Sequence, residues 1–152
     1  MTGSKNSTTN EIYFIVPGPV VGKGRPRFST RGGFAKAYTP KRTSDYEKRV
    51  QAAYLEEVPF QPMRWGNKEP LEMVVNAYFE IPKSASRKAK DDMLLHGYPC
   101  KKADADNILK VIADSLNGVC YQDDCQIVRA TVNKIWSEEP KAEVIIREVH
   151  RG

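Results

Sequence analysis

The stretch from Asp104 to Gly118, DADNILKVIADSLNG, constrains the fold more than any other part of the chain. At about 100° per residue, Ile108, Leu109, Ile112 and Leu116 share one helical face, while Asp106, Lys110 and Asn117 fall together on another. A helix with one apolar face has to lay it on something, and the remaining apolar runs supply a sheet. EIYFIVPG reads as a strand stopped by Pro17-Gly18, LEMVVNAYFEIP as a long, largely buried strand, and IVRATVNKIW and AEVIIREV as two more. The SEEPK turn joins the last two, which are expected to lie side by side.

Two further helices complete the expectation. Tyr46, Val50, Ala53 and Tyr54 recur at helical spacing, with Thr43 or Ser44 as cap and an end near Val58-Pro59. Ser84 or Ser86 starts a short charged helix through about Leu95, closed by Gly97. With 152 residues, 40% of them apolar, the chain has material for one core and not for two. The fold class expected is α+β, a single compact domain with a mixed sheet of about four strands packed with about three helices. Residues 1–10 read as a disordered polar tail and 11–149 as the domain. No apolar run is long enough to cross a membrane.

Charge is segregated along this chain. Ala103 to Gln126 carries five aspartates and one lysine, whereas Val20 to Arg42 carries seven Lys/Arg and no acid, in a chain of net charge +5. Glycine, proline and cations mixed in VVGKGRPRFSTRGGFAKAYTPKR mark an exposed loop or hairpin. Lys23, Arg25, Arg27, Arg31, Lys36, Lys41 and Arg42 are placed to track phosphates, with Gly22, Gly24, Gly32 and Gly33 permitting close backbone approach. Phe28, Phe34 and Tyr38 lie among them and suit either base stacking or anchoring of the loop.

Asp104-x-Asp106 at a helix start has two readings, a cap favoured by the helix dipole or a pair of metal ligands. Asp123 and Asp124 beyond the helix tilt the balance, because crowded carboxylates repel unless a cation or a proton intervenes. Mg²⁺, or Mn²⁺ in its place, suits carboxylate oxygens and keeps positions for water and phosphate. Lys110, four residues beyond Asp106, is either a helix-surface ion pair or a group aimed at the scissile phosphate. Cys100, Cys120, Cys125 and His96 lack the spacing of a zinc site, and the odd cysteine count points to a reducing cytoplasm.

DADNILKVIADSLNG followed by YQDDCQI resembles the RusA family of Holliday junction resolvases, through a compound motif of DxDN-x-x-K, then D-x-L-N-G, then DD-x-Q. PGPVVGKGRPRF and AYTPKRTSDYEKRV resemble the N-terminal half of its phage and prophage members, so that the similarity spans roughly Ile12 to Ile146. The resemblance implies a Mg²⁺-dependent endodeoxyribonuclease that resolves four-way DNA junctions by paired symmetric nicks, working as a homodimer. By position it implies Asp104, Asp106 and Asp124 as catalytic, metal-binding carboxylates and Lys110 as the accompanying essential base-type residue, with Asn107 among the DNA contacts and Asp114, Asn117, Asp123 and Gln126 in support. Expected chemistry is in-line attack of water on a phosphodiester, leaving a 5′ phosphate and a 3′ hydroxyl. The rivals are a non-catalytic DNA-binding module, in which the acids are caps and surface pairs, and a metal nuclease acting on other branched DNA.

Overall fold

The computed structural model describes residues 10–24, 27–33, 36–38, 40–59 and 63–150. The polar tail 1–9, Arg25 and Phe34 lie outside these residues, as do the side chains of Arg27, Arg31, Lys36 and Tyr38.

Four strands make the main sheet: β1 (Glu11–Pro17), β4 (Leu71–Glu80), β5 (Ile127–Ser137) and β6 (Lys141–Glu148). A separate hairpin pairs β2 (Arg27–Ser29) with β3 (Lys36–Tyr38), in the basic segment where a loop or hairpin is expected. Three α-helices complete the α+β domain: α1 (Lys41–Glu57), α2 (Arg87–His96) and α3 (Ala105–Ser115).

Strand order in the main sheet is β1-β6-β4-β5, with β4 and β5 parallel and the other pairs antiparallel. The expectation that β5 and β6 lie side by side is therefore corrected: β4 runs between them. The link 138–140 needs to bridge only two strand spacings, about 10 Å, which three extended residues reach. β1, β4 and β6 alternate buried and half-exposed positions at period two, so one sheet face is core and the other is open.

The core face carries Phe14, Val16, Met73, Val75, Val144 and Ile146, and α1 and α3 lie across it. From α3 come Ile108, Val111, Ile112 and Leu116, all fully buried; Leu109 is only half-buried, so Val111 takes the place expected of it. From α1 come Tyr46, Val50, Ala53 and Tyr54. Helix α1 begins at Lys41 after Pro40, with no side-chain cap. Thr43, expected as the cap, instead receives the Gly24 N–H at 3.1 Å on its hydroxyl. Ser86 does cap α2, its Oγ accepting the Ala89 N–H at 3.1 Å, and Gly97 closes that helix.

Candidate active site

Helix α3 organises the acidic residues. Asp104 stands at its N-cap in extended conformation, yet its carboxylate caps nothing. Asp106 lies in the first turn, and both acids are exposed. Asn107, Lys110, Asp114 and Asn117 follow down the side of the helix turned away from the core, with Lys110 exposed and Asp114 half-buried.

Asp124 begins a short 3₁₀ turn, Asp124–Gln126, that returns the chain to the far end of α3. Its N–H donates to Asn117 Oδ1 at 2.7 Å, and Asn117 Nδ2 reaches back to Asp124 Oδ2 at 3.4 Å. This places the Asp124 carboxyl against that of Asp114. Partial burial, together with Asp114 and Asp123, holds the Asp124 carboxyl above the usual carboxylate range, although Asn117 pulls the other way. Asp123 moves oppositely, lowered chiefly by the Cys125 N–H that it accepts at 3.0 Å.

The acids expected to converge are thus distributed. Asp106 and Asp114 are eight residues apart on one continuous helix, about 12 Å along its axis. Asp124 joins Asp114 at one end, while Asp104 and Asp106 occupy the other. Among the described residues no three acidic, histidine or cysteine side chains form a group able to hold a metal ion. The donor chemistry that is assembled, two carboxylates side by side with one disfavoured in its charged form, fits Mg²⁺, which binds through one or two carboxylates and completes its shell with water and phosphate.

The basic loop docks on this helix. Lys23 N–H donates to the Asn107 carbonyl at 3.0 Å, and its ammonium lies 2.7 Å from Glu47 and 3.3 Å from Asp114. Burial draws the Lys23 ammonium down, but Glu47 and Asp114 outweigh it and the net shift is upward. The Lys23 charge is therefore matched inside the fold, unlike a cation left free for phosphate. Gly22 permits the approach, since a Cβ there would meet the Ala103 Cβ at 2.8 Å.

A cleft of about 530 Å³ opens beside the junction of loop and helix. Arg42, Lys102, Asp104 and Asn107 line it, together with the backbone of 20–24. Arg42 is exposed there, as is Lys102, which the sequence did not single out. Lys41, by contrast, pairs with Asp45 on the surface at 2.8 Å. Phe28 projects from β2, 73% exposed, so it is not anchored to the core.

Several supporting residues have structural roles. Asp123 and Gln126 form a reciprocal capping box, and the Gln126 amide also donates to the Gly66 and Glu69 carbonyls at 2.7 and 3.1 Å. Cys100 and Cys125 are exposed, and burial pushes the Cys120 thiol up to about 12. His96 and His150 are exposed and stand outside the cleft.

A site with acids along one helix and a basic, glycine-bearing loop at its start is the setting in which the family comparison falls. The model for "Endodeoxyribonuclease RusA" matches residues 17–147. This chain belongs to the RusA family. The RusA match takes in both the basic loop and α3 with the 3₁₀ turn, which are the parts that build the site. The chain is also 38% identical over 141 residues to a protein of Bacillus subtilis (strain 168) named "Uncharacterized protein YqaN", covering 91% of this chain and 96% of the relative. Among the described residues no helix is long and apolar enough to cross a membrane.

Proposed function

We propose that this RusA-family chain, through a domain spanning residues 11–149, is a divalent-metal-dependent endodeoxyribonuclease that cuts four-way DNA junctions by paired nicks, as a homodimer in the cytoplasm. Asp104, Asp106, Asp124 and Lys110 are its reacting groups. The observation that carries this reading is the contact of Asp124 with Asp114, in which one carboxyl is held in an environment unfavourable to its charge. The Lys23 ammonium is shared between Asp114 at 3.3 Å and Glu47 at 2.7 Å, so the two carboxyls still gain from a divalent cation, which favours an enzyme over a passive binding module.

Asp124 and Asp114 would hold Mg²⁺ or Mn²⁺, which supplies a polarised water and neutralises phosphate oxygens. Lys110 lies between the two acidic ends of α3, one turn from Asp106 and one from Asp114, where its ammonium offsets charge developing on the phosphoryl group. Arg42 and Lys102 in the cleft hold neighbouring phosphates, and Asn107 holds the loop through its carbonyl. Arg25, Arg27, Arg31, Lys36 and Lys41 belong to the same basic segment of the sequence and would add further phosphate contacts. Asp104 and Asp106 are exposed at the start of the helix, where Asp104 makes no cap, and would meet the DNA from there.

The test is a cleavage assay with Mg²⁺ on a synthetic four-way junction and on matched flap, fork and linear duplexes. Paired nicks on the junction that disappear in Asp106→Asn and Asp124→Asn are the expected result. Binding without cleavage returns the chain to a DNA-binding module, and faster cutting of flaps or forks reassigns the substrate.

A further inference from the structure

Helix α2 adds nothing to the core: none of its 10 residues is buried. It lies against β5 where it closes, since a Cβ at Gly97 would come within 3.4 Å of the Trp136 ring. Its first turn carries Arg87, Lys88 and Lys90 and no acid, and Lys83 precedes it. Cations in a first turn oppose the helix macrodipole, so the stability of the helix does not account for them. Elsewhere this fold pairs its surface cations: Lys41 with Asp45, Arg129 with Glu72, and Arg147 with Glu11 and Glu72. Among the described residues Lys83, Arg87, Lys88 and Lys90 form no ion pair, although Asp91 stands one helical turn from Arg87.

These cations are joined to the cleft beside α3 by a continuous groove. The cleft shares Val20, Arg42 and Lys102 with a hollow of about 260 Å³ that runs past Lys101 to Glu80. Glu80 in turn belongs to a hollow of about 350 Å³ whose wall holds Lys83, Arg87 and Lys90. Along this path Arg42, Lys101, Lys102, Lys83, Arg87 and Lys90 are without an ion pair among the described residues. Beyond Asp104 they face only Glu80, Asp91 and Glu138. A long, charged groove of this kind suits an extended polyanion and not a compact, mainly apolar ligand.

We infer that α2 is a second DNA-binding element, which holds the backbone of the duplex arm leading away from the strand in the cleft. Lys83, Arg87 and Lys90 meet its phosphates, and they fix where the arm lies without reading its sequence. The 10 residues of α2 span about 15 Å, the rise of about four base pairs at about 3.4 Å each. A short arm therefore ends before it reaches α2, and a longer one is held. This assignment rests on the reading above for the DNA in the cleft. Its test is made without divalent cation, so it reads binding and not cleavage.

Full-length protein is titrated onto synthetic junctions whose arms are lengthened stepwise from about 5 to about 20 base pairs, over a range of salt. Wild type is expected to bind more tightly as the arms grow, and Lys83→Gln/Arg87→Gln/Lys90→Gln is expected to lose that gain while matching wild type on the shortest arms. On long arms Arg87→Gln should lessen the log–log salt slope by about 0.9, the share of one phosphate contact. Arg87→Lys should keep the wild-type slope, and so should Lys68→Gln, an exposed cation outside the groove. Melting temperatures should stay unchanged, because no residue of α2 is buried. A triple variant that gains from longer arms as wild type does overturns the inference, as does an equal loss of slope in Lys68→Gln and Arg87→Gln. Either result leaves the cleavage assay to decide the nuclease reading. A wild type that shows the arm-length gain and never cleaves keeps α2 as a DNA contact while the nuclease reading falls.

Discussion

Replacing Lys23 by alanine leaves Glu47 and Asp114 without the cation that lies 2.7 and 3.3 Å from them. The three side chains are 19, 21 and 29% exposed, between a surface pair and a buried one. Exposed pairs contribute about 0.2–1 kcal/mol, and breaking a buried pair costs about 3–5 kcal/mol, so the loss here is about 1–2 kcal/mol at neutral pH. At about 2.1 cal/mol/K of unfolding entropy per residue, a domain of this length loses about 3–6 °C in Tm. At the alkaline end the raised Lys23 ammonium keeps its contribution through the ordinary lysine range, and wild type loses the advantage only above about pH 10.4. Thermal melts of wild type, Lys23→Ala and Lys23→Arg from pH 7 up to about pH 11.5 measure this. A Tm change under about 1 °C at pH 7, or a deficit undiminished at the alkaline end, refutes the reasoning.

Asp124→Asn is expected to raise the melting temperature of the free protein at pH 7, because a carboxyl whose folded pKa is raised costs stability as pH rises through it. Wild type should close the gap as the pH is lowered toward 4, and equal melting temperatures at pH 7 would contradict this. Gly22→Ala should cost about 1–3 kcal/mol, since the new methyl meets the Ala103 Cβ at 2.8 Å; urea denaturation tests it, and an unchanged midpoint counts against the loop's docking on α3. Junction affinity should fall with salt at a log–log slope of about −4 to −5. Arg42→Gln should lessen that slope by about one and Lys23→Gln should leave it unchanged, because the Lys23 charge is matched within the fold.

The elements of the fold were legible wherever a local pattern decided them. Apolar runs bounded by turn residues mark β1, β4, β5 and β6, Ser86 and Gly97 bracket α2, and the apolar face of α3 is readable from its own spacing. Strand order was not, because a three-residue link suits either adjacent strands or strands one apart, and only the packed sheet decides. The start of α1 was misplaced for a similar reason: the Thr43 hydroxyl serves Gly24, nineteen residues earlier, and not its own helix.

In the site, α3 and the exposed acids at its start could be read from sequence. The partner of Asp124 could not, since Asp114 looked like a helix-surface acid until the 3₁₀ turn brought Asp124 beside it. Its place one turn beyond Lys110 and one before Asn117 was the available signal. Lys23 was read with its charged neighbours as a phosphate contact, and nothing local pointed to Glu47 or Asp114 as its partners. Gln126 looked like a turn residue and is one, but it also holds the carbonyls of Gly66 and Glu69 from a distant segment.

The claim on which the account turns is that the Asp124 end of α3 is where a divalent cation binds before DNA arrives. Titration of Mn²⁺ followed by electron paramagnetic resonance counts bound ions directly in wild type and in Asp106→Asn, Asp114→Asn and Asp124→Asn, without DNA present. Binding that is lost in Asp114→Asn and Asp124→Asn but kept in Asp106→Asn is the predicted result. Binding undiminished by Asp124→Asn would contradict it.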